Sequence, residues 1–164
     1  MGLQLPGELI SLLGMLGYDW PEADEEKLFK MGGAWLGFSG KLGQPVGAAH
    51  GHAQQVWTGN QGEGIEAFRK AWSQEDAPAP ALEDAGTAAT IIGAAMMVCA
   101  AIVLVLKINV IIQLVMLAIQ IFQAVATAVA TFGASLLEIP FFKIITSLIL
   151  DQLIDFALQA ILNG

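Results

Sequence analysis

Apolar residues recur at helical spacing along the first half of the chain. Over residues 28–38 they follow one another at steps of three and four, which places them on one face of a helix. Pro21 and the acidic residues after it are typical of a helix N-terminus, because a fixed φ and negative charge are favourable there. Two glycines and Pro45 interrupt the pattern, and a second helical stretch is predicted over about 45–56.

A third, shorter helix is predicted after a turn. Ile65, Phe68 and Trp72 are separated by steps of three and four and therefore share a helix face. Pro78 and Pro80 then favour an extended conformation, so we predict a Pro/Ala linker over 77–83. The predicted division is a helical hairpin region over 1–76 and a hydrophobic helical region over 84–164. No strand is evident, and the expected fold class is all-α.

The second half carries long apolar helices with narrow polar stripes. No charged residue occurs over 108–137, and we expect the first of these helices to end at Glu138, shortly before Pro140. A last helix is predicted over 140–162, with polar residues at four-residue steps and Gly164 as its C-cap. Five polar residues of the first helix line one stripe, which indicates either a polar seam between helices or a pore lining: Asn109, Gln113, Gln120, Thr127 and Thr131.

Two segments, 87–106 and 108–132, reach the roughly 20 residues that a membrane span requires. A two-span hairpin would turn near Lys107, where the sequence has neither Gly nor Pro, so one long helix fits better. The apolar faces are wider than the stripe of about 100° that soluble helices show. A partner, a second copy or lipid is therefore needed to cover them.

Composition sharpens this picture. The 164 residues are 55% hydrophobic and only 13% charged, with a formal net charge of −8. An acidic chain repels phosphate backbones, so no nucleic-acid partner is expected. The first twenty residues contain no Lys or Arg and include Glu8, which argues against a cleaved signal peptide. We expect a protein secreted without such a peptide, or one associated with the cell envelope.

Residues that could carry chemistry lack a suitable setting. His50 and His52 do not share a helix face and have no acidic neighbour or cysteine near in sequence, so no metal site is predicted. Asp151 and Asp155 fit a solvated polar stripe better than a catalytic pair. No nucleotide-binding glycine loop follows a strand. We expect no catalytic residues, no cofactor and no enzymatic activity.

The most specific motif is Trp57-Thr58-Gly59, which lies between two helical stretches. Gly59 is expected to supply the permissive backbone for a tight reversal, and Trp57 to pack across the resulting hairpin. Three further aromatic residues are predicted to complete the packing of the hairpin: Trp35, Phe68 and Trp72.

This arrangement resembles the WXG family of helical hairpins exported by type VII secretion systems. More closely, the front half, residues 1–80, looks like the N-terminal domain of large actinobacterial polymorphic toxins, and the resemblance over 81–164 is looser. The similarity rests on the opening LPGEL, the YDWPE sequence over 18–22, the Ala34-Trp35 pair and the Trp57-Thr58-Gly59 motif. The fold that it implies is a WXG-type hairpin followed by long hydrophobic helices packed as a bundle.

The resemblance implies an export and partner-docking domain of a secreted toxin or effector. Its partners would be small helical WXG-type proteins and the type VII machinery. Tyr18 and Glu22 match the spacing of the family's secretion tag, although they precede the hairpin. Two alternatives stay open: a membrane-inserting translocation or pore-forming module, and a self-assembling structural protein that forms a homo-oligomer.

Overall fold

The computed structural model describes residues 2–163, and over these residues every regular element is a helix. The all-α prediction is therefore confirmed. The elements run in the order α1 (Gly7–Met15), α2 (Glu25–Gly59), α3 (Glu63–Trp72), α4 (Pro78–Thr127), a 3₁₀ helix (Ala134–Glu138) and α5 (Ile139–Asn163). The proposed C-cap at Gly164 lies outside the described residues.

The chain forms two compact units. One, which we call the apolar unit, combines residues up to Lys27 with those from Cys99 onward; the other, the hairpin unit, covers Leu28–Val98. The division of the sequence at 77–83 stays a prediction.

Helix α2 is continuous through Pro45, where the sequence predicted a break. A proline inside a helix removes one backbone hydrogen bond and is costly. The side chains of Val46 and Ala53, which follow it on α2, are buried in the hairpin unit. We attribute the continuity of the helix to this packing, which offsets the lost bond.

Helix α4 is one element of 50 residues, about 75 Å long at the usual rise. The prediction of one long helix instead of a two-span hairpin is thus confirmed. The expected extended conformation after Ala77 is wrong, since the helix begins at Pro78. Pro78 and Pro80 lie in its first turn, where a backbone N–H would have no helical partner and its loss costs little. Ala77 and Ala79 are buried at this end.

Helix α4 ends at Thr127, earlier than predicted, and Pro140 lies in the first turn of α5. The chain reverses between the two helices through left-handed backbone at Phe132 (φ 52°) and Gly133 (φ 84°). Ser135 then folds back, and its Oγ donates a hydrogen bond to the carbonyl of Ala124, 2.7 Å away. The Ser135 hydroxyl thus supplies a hydrogen bond to a carbonyl near the end of α4, where a longer helix would have supplied a backbone N–H.

The core of the apolar unit forms where α1 packs on α4 and α5. Leu12 and Leu13 of α1 are buried against Leu114 and Leu117 of α4 and Leu150 of α5. With only nine residues, α1 is too short to be stable alone. Its helical state therefore depends on this packing.

Candidate functional site

An aromatic cluster holds α2 and α3 together in the hairpin unit. The ring centroids of Trp57 and Phe68 lie 5.9 Å apart, as do those of Phe68 and Trp72. The Trp72 Nε1 donates a hydrogen bond to His50 Nδ1 at 3.2 Å, and the His50 ring meets Trp57 edge-on at 6.3 Å. His50 therefore takes part in hairpin packing, a role that sequence reasoning missed.

The Trp57-Thr58-Gly59 motif forms the last turn of α2 and not the reversal itself. The glycine with left-handed backbone is Gly62 (φ 124°), so the expectation that Gly59 makes the tight reversal is corrected. Asn60 explains the shift, because its Nδ2 donates to the Val56 carbonyl at 2.9 Å and satisfies the helix end.

Trp35 lies apart from that cluster, unlike Phe68 and Trp72. Its ring meets Phe38 edge-on at 6.2 Å. Together with Met31 and Ala34 these two rings form one exposed row along α2. We call Met31, Ala34, Trp35 and Phe38 the α2 row. The structure gives Trp35 a ring contact with Phe38 of its own helix, and its predicted role in packing the hairpin stays a prediction.

Helices α2 and α4 approach each other closely within the hairpin unit. A Cβ atom added to Gly32 would lie 2.8 Å from the Gly93 carbonyl oxygen, and one added to Gly93 would lie 2.8 Å from the Gly32 oxygen. Ser39 Oγ donates to the Gly86 carbonyl at 2.7 Å. The small residues of both segments make this contact possible, although the sequence alone does not pair them.

Tyr18 joins the N-terminal segment to α5. Its hydroxyl lies 2.6 Å from Asp151 Oδ1 and 2.9 Å from Ser147 Oγ. The hydrogen bond to Asp151 raises the pKa of Tyr18 above its usual value. Glu22 is exposed, and both residues precede α2. Their assignment as a secretion tag stays a prediction.

Lys107 is a buried cation in the middle of α4, with only 1% of its surface exposed. Its Nζ donates to Glu25 Oε2 at 2.8 Å and to the Ala23 carbonyl at 2.6 Å, and it lies 5.7 Å from the centre of the Trp20 ring. Burial alone would raise the pKa of Glu25, but hydrogen bonds from the Leu3 N–H and Lys107 outweigh it, and the net effect is to lower that pKa.

The comparisons with known proteins agree with the hairpin geometry. The family model described as a WXG100 like domain matches residues 5–148, which is most of the chain. The chain belongs to the WXG100-like family. Proteins of this family are helical, are associated with secretion by type VII systems and often pair with other helical proteins. No curated protein and no solved structure matches the chain.

The polar stripe of this WXG100-like domain is shorter than predicted. Asn109, Gln113 and Gln120 are half-buried on α4, and Thr127 is its last residue, whereas Thr131 lies in the turn that follows. The Asn109 Nδ2 donates to the Val105 carbonyl of its own helix at 2.9 Å. The two threonines also bond backbone carbonyls of their own segment. The stripe's assignment as a seam or a pore lining stays a prediction.

Opposite the buried face of α4, the WXG100-like domain exposes a second apolar face. Its members recur at steps of three and four: Val105, Ile108, Ile112, Val115, Ile119 and Phe122. Among the described residues, two helical segments are long and apolar enough to cross a membrane by length and composition, Pro78–Thr127 and Ala134–Asn163. Only 22% and 17% of their most apolar stretches is buried, far less than in the core helix of a soluble protein.

Proposed function

We propose that the chain is the export and partner-docking domain of a type VII-secreted toxin or effector. It acts by helix packing, and it has no catalytic role. The observation that carries this proposal is the α2 row, an exposed apolar row on the helix that also bears the family motif. The expected partners are small helical WXG-type proteins and the type VII secretion machinery.

The spacing of the α2 row suits a partner helix. Met31, Trp35 and Phe38 are separated by steps of four and three, the spacing at which one helix packs its side chains into another. Their side chains are 36–49% exposed, so a partner would bury a substantial apolar area. The α2–α3 contact depends on a different set of rings, and the row is therefore free to bind without loosening the hairpin.

The polar contacts also favour binding over catalysis. The Nδ1 atom of His50 accepts the Trp72 indole hydrogen, and the Tyr18 hydroxyl is bonded to Asp151 and Ser147. Lys107 is buried with Glu25. Each of these groups already has a structural partner, which supports a packing role for them.

The test is co-expression with the small helical proteins encoded beside this chain. We expect Trp35→Glu and Phe38→Glu to weaken the complex by roughly thirty-fold or more, since buried aromatic anchors are worth at least about 2 kcal/mol. Phe29→Glu is the matched control, because Phe29 is exposed on another face of the same helix. If the control weakens the complex as much as the row variants, or if no complex forms with any neighbouring protein, the proposal fails.

A second candidate function is a membrane-inserting translocation or pore-forming module. The low burial of the apolar stretches within α4 and of the segment Ala134–Asn163 favours it. Dye release from phosphatidylcholine vesicles tests it. Release that depends on the protein and is unaffected by Trp35→Glu would support insertion, whereas intact vesicles at all protein concentrations would contradict it.

A further inference from the structure

The turn between α4 and α5 is apolar on the outside and polar on the inside. We call residues 128–137 the apolar turn. Val129 is 90% exposed, Leu137 is 73% exposed, and Phe132 is fully exposed. Connections between helices are usually polar, because they lie in water. Isolated exposed apolar residues need no explanation, but three together on one turn do.

The hydroxyl groups near this turn are already satisfied by the chain. Thr131 Oγ1 donates to the Thr127 carbonyl at 3.0 Å. Ser135 Oγ donates to the Ala124 carbonyl at 2.7 Å, and Thr127 Oγ1 donates to the Gln123 carbonyl at 2.9 Å. Each hydroxyl therefore has a hydrogen-bond partner within the chain, and that bond would persist if water were removed from the turn.

The backbone of the turn also bonds to itself. The N–H of Gly133 donates to the Ala128 carbonyl at 2.7 Å, and that of Leu136 donates to the Gly133 carbonyl at 3.1 Å. Thr131 and Ala134 donate their N–H groups to carbonyls of the same segment. Hydrocarbon offers no hydrogen bonds, so internal satisfaction of polar groups is the condition for a segment to enter it.

Charged residues limit the depth to which the turn could insert into a bilayer. No charged residue occurs over 108–137, and Glu138 follows immediately. On the α5 side, Glu138 and Lys143 would stay at the level of the headgroups, because charged side chains are costly at the bilayer centre.

We infer that the apolar turn is a lipid-binding tip, which inserts into a bilayer ahead of the rest of the chain. This inference rests on the membrane-inserting candidate and not on docking at the α2 row. A second copy of the chain fits the turn less well. The three exposed side chains of the turn offer about 500 Å², so an interface of roughly 800 Å² per partner would also need exposed residues of the adjoining helices, such as Phe122 and Phe141, to meet a surface of complementary shape. A fluid lipid surface needs no complementary shape, and its affinity scales with the apolar area inserted.

The first experiment measures binding of the full chain to phosphatidylcholine vesicles by co-sedimentation. We expect the double variant Val129→Asp with Phe132→Asp to lower the partition coefficient roughly ten- to hundred-fold, because aspartate inserts poorly. The variant should fold, since both side chains are almost fully exposed and Asp tolerates positive φ better than Phe. Leu162→Asp is the matched control: Leu162 is 78% exposed on the same unit, near the far end of α5.

The second experiment locates the inserted residue directly. An environment-sensitive fluorophore is attached to Val129→Cys, or to Leu162→Cys, in a Cys99→Ala background. Vesicles should raise its emission several-fold at position 129 and much less at position 162. An equal response at both positions would contradict insertion by the turn, as would unchanged vesicle binding by the double Asp variant.

Light scattering in plain buffer tests the alternative that a second copy of the chain, and not lipid, covers the apolar turn. If the double Asp variant has a smaller mass than the wild-type chain, and the wild-type chain does not bind vesicles, the turn is a contact between copies and the inference is wrong. Complex formation through the α2 row is measured independently with Trp35→Glu. Docking at the α2 row and lipid binding by the apolar turn can therefore be refuted independently of each other.

Discussion

Replacing Lys107 with methionine removes the ammonium group and keeps a side chain of similar length in the same buried space. The Glu25 carboxylate, itself 8% exposed, then keeps the Leu3 N–H but loses its cation, and the Ala23 carbonyl loses a donor. Breaking a buried ion pair on one side costs 3–5 kcal/mol in general. Because Glu25 retains a backbone hydrogen bond, we expect the lower end, about 3 kcal/mol of unfolding free energy.

Removing both charges should recover most of that loss. In the variant with Lys107→Met and Glu25→Met neither ion has to leave water, and replacement of a buried pair by apolar residues is often neutral or stabilising. The Leu3 N–H and the Ala23 carbonyl still lose partners at about 1 kcal/mol each. We therefore expect the double variant to lie within about 2 kcal/mol of the wild-type chain.

Urea unfolding followed by far-ultraviolet circular dichroism measures the unfolding free energy of the four members of this double-mutant cycle: the wild-type chain, Lys107→Met, Glu25→Met and the double variant. Lys27→Met is the control for a lysine on the surface, since its side chain is 78% exposed. If Lys107→Met costs less than about 1 kcal/mol, the ammonium is hydrated and not buried as described. If the double variant loses as much as the two single losses together, the two groups are not coupled, and the reasoning is refuted.

The same pair predicts a pH dependence. The pKa of Glu25 is lower in the folded chain than its ordinary value of 4.5. Its contribution to stability is therefore complete above that value and is lost as the pH falls through the folded pKa. Lys107→Met removes part of the lowering. We expect the fall in unfolding free energy below about pH 5 to be smaller in this variant than in the wild-type chain.

Substitutions also probe three further contacts of the structure. Tyr18→Phe should cost about 1–2 kcal/mol, because the hydroxyl bonds a carboxylate, that of Asp151. Since the folded pKa of Tyr18 is raised, stability should also fall as the pH rises above 10 in the wild-type chain and less in this variant. Gly32→Ala would place a Cβ 2.8 Å from a backbone oxygen of α4, and we expect it to lower the unfolding free energy measured in urea by about 1–3 kcal/mol. The control is Gly47→Ala, where a Cβ would meet open space, and this variant should stabilise α2 by up to about 1 kcal/mol. Trp72→Phe keeps a ring but loses the hydrogen bond to the histidine of the aromatic cluster, and a loss above about 1.5 kcal/mol would show that the bond is more than a surface contact.

Periodicity was sufficient to predict the fold class and the long fourth helix. The apolar spacing of that region is helical throughout, and nothing near Lys107 could turn the chain. The errors arose where tertiary packing overrides a local signal. Pro45 lies inside α2 next to the buried Val46, and Pro78 begins α4 in place of an extended linker.

The contacts of the site were harder to predict, because they join residues far apart in sequence. Lys107 is the only charged residue over 85–137, which signals that it needs a partner, but the sequence does not show that the partner is Glu25, 82 residues earlier. Likewise, the four-residue spacing of Ser147 and Asp151 predicts a polar stripe and does not reveal that Tyr18 binds to it.

The separation of 129 residues between Tyr18 and Ser147 has a consequence for the order of folding. At about 5–20 residues per second, synthesis of the intervening chain takes roughly 6–26 seconds. During that time the leucines of α1 have neither α4 nor α5 to pack against, and a nine-residue helix does not persist alone. The segment that carries α1 is thus made before α4 and α5 and ordered after them, and until then a nascent chain presents its leucines to whatever chaperone meets it at the ribosome.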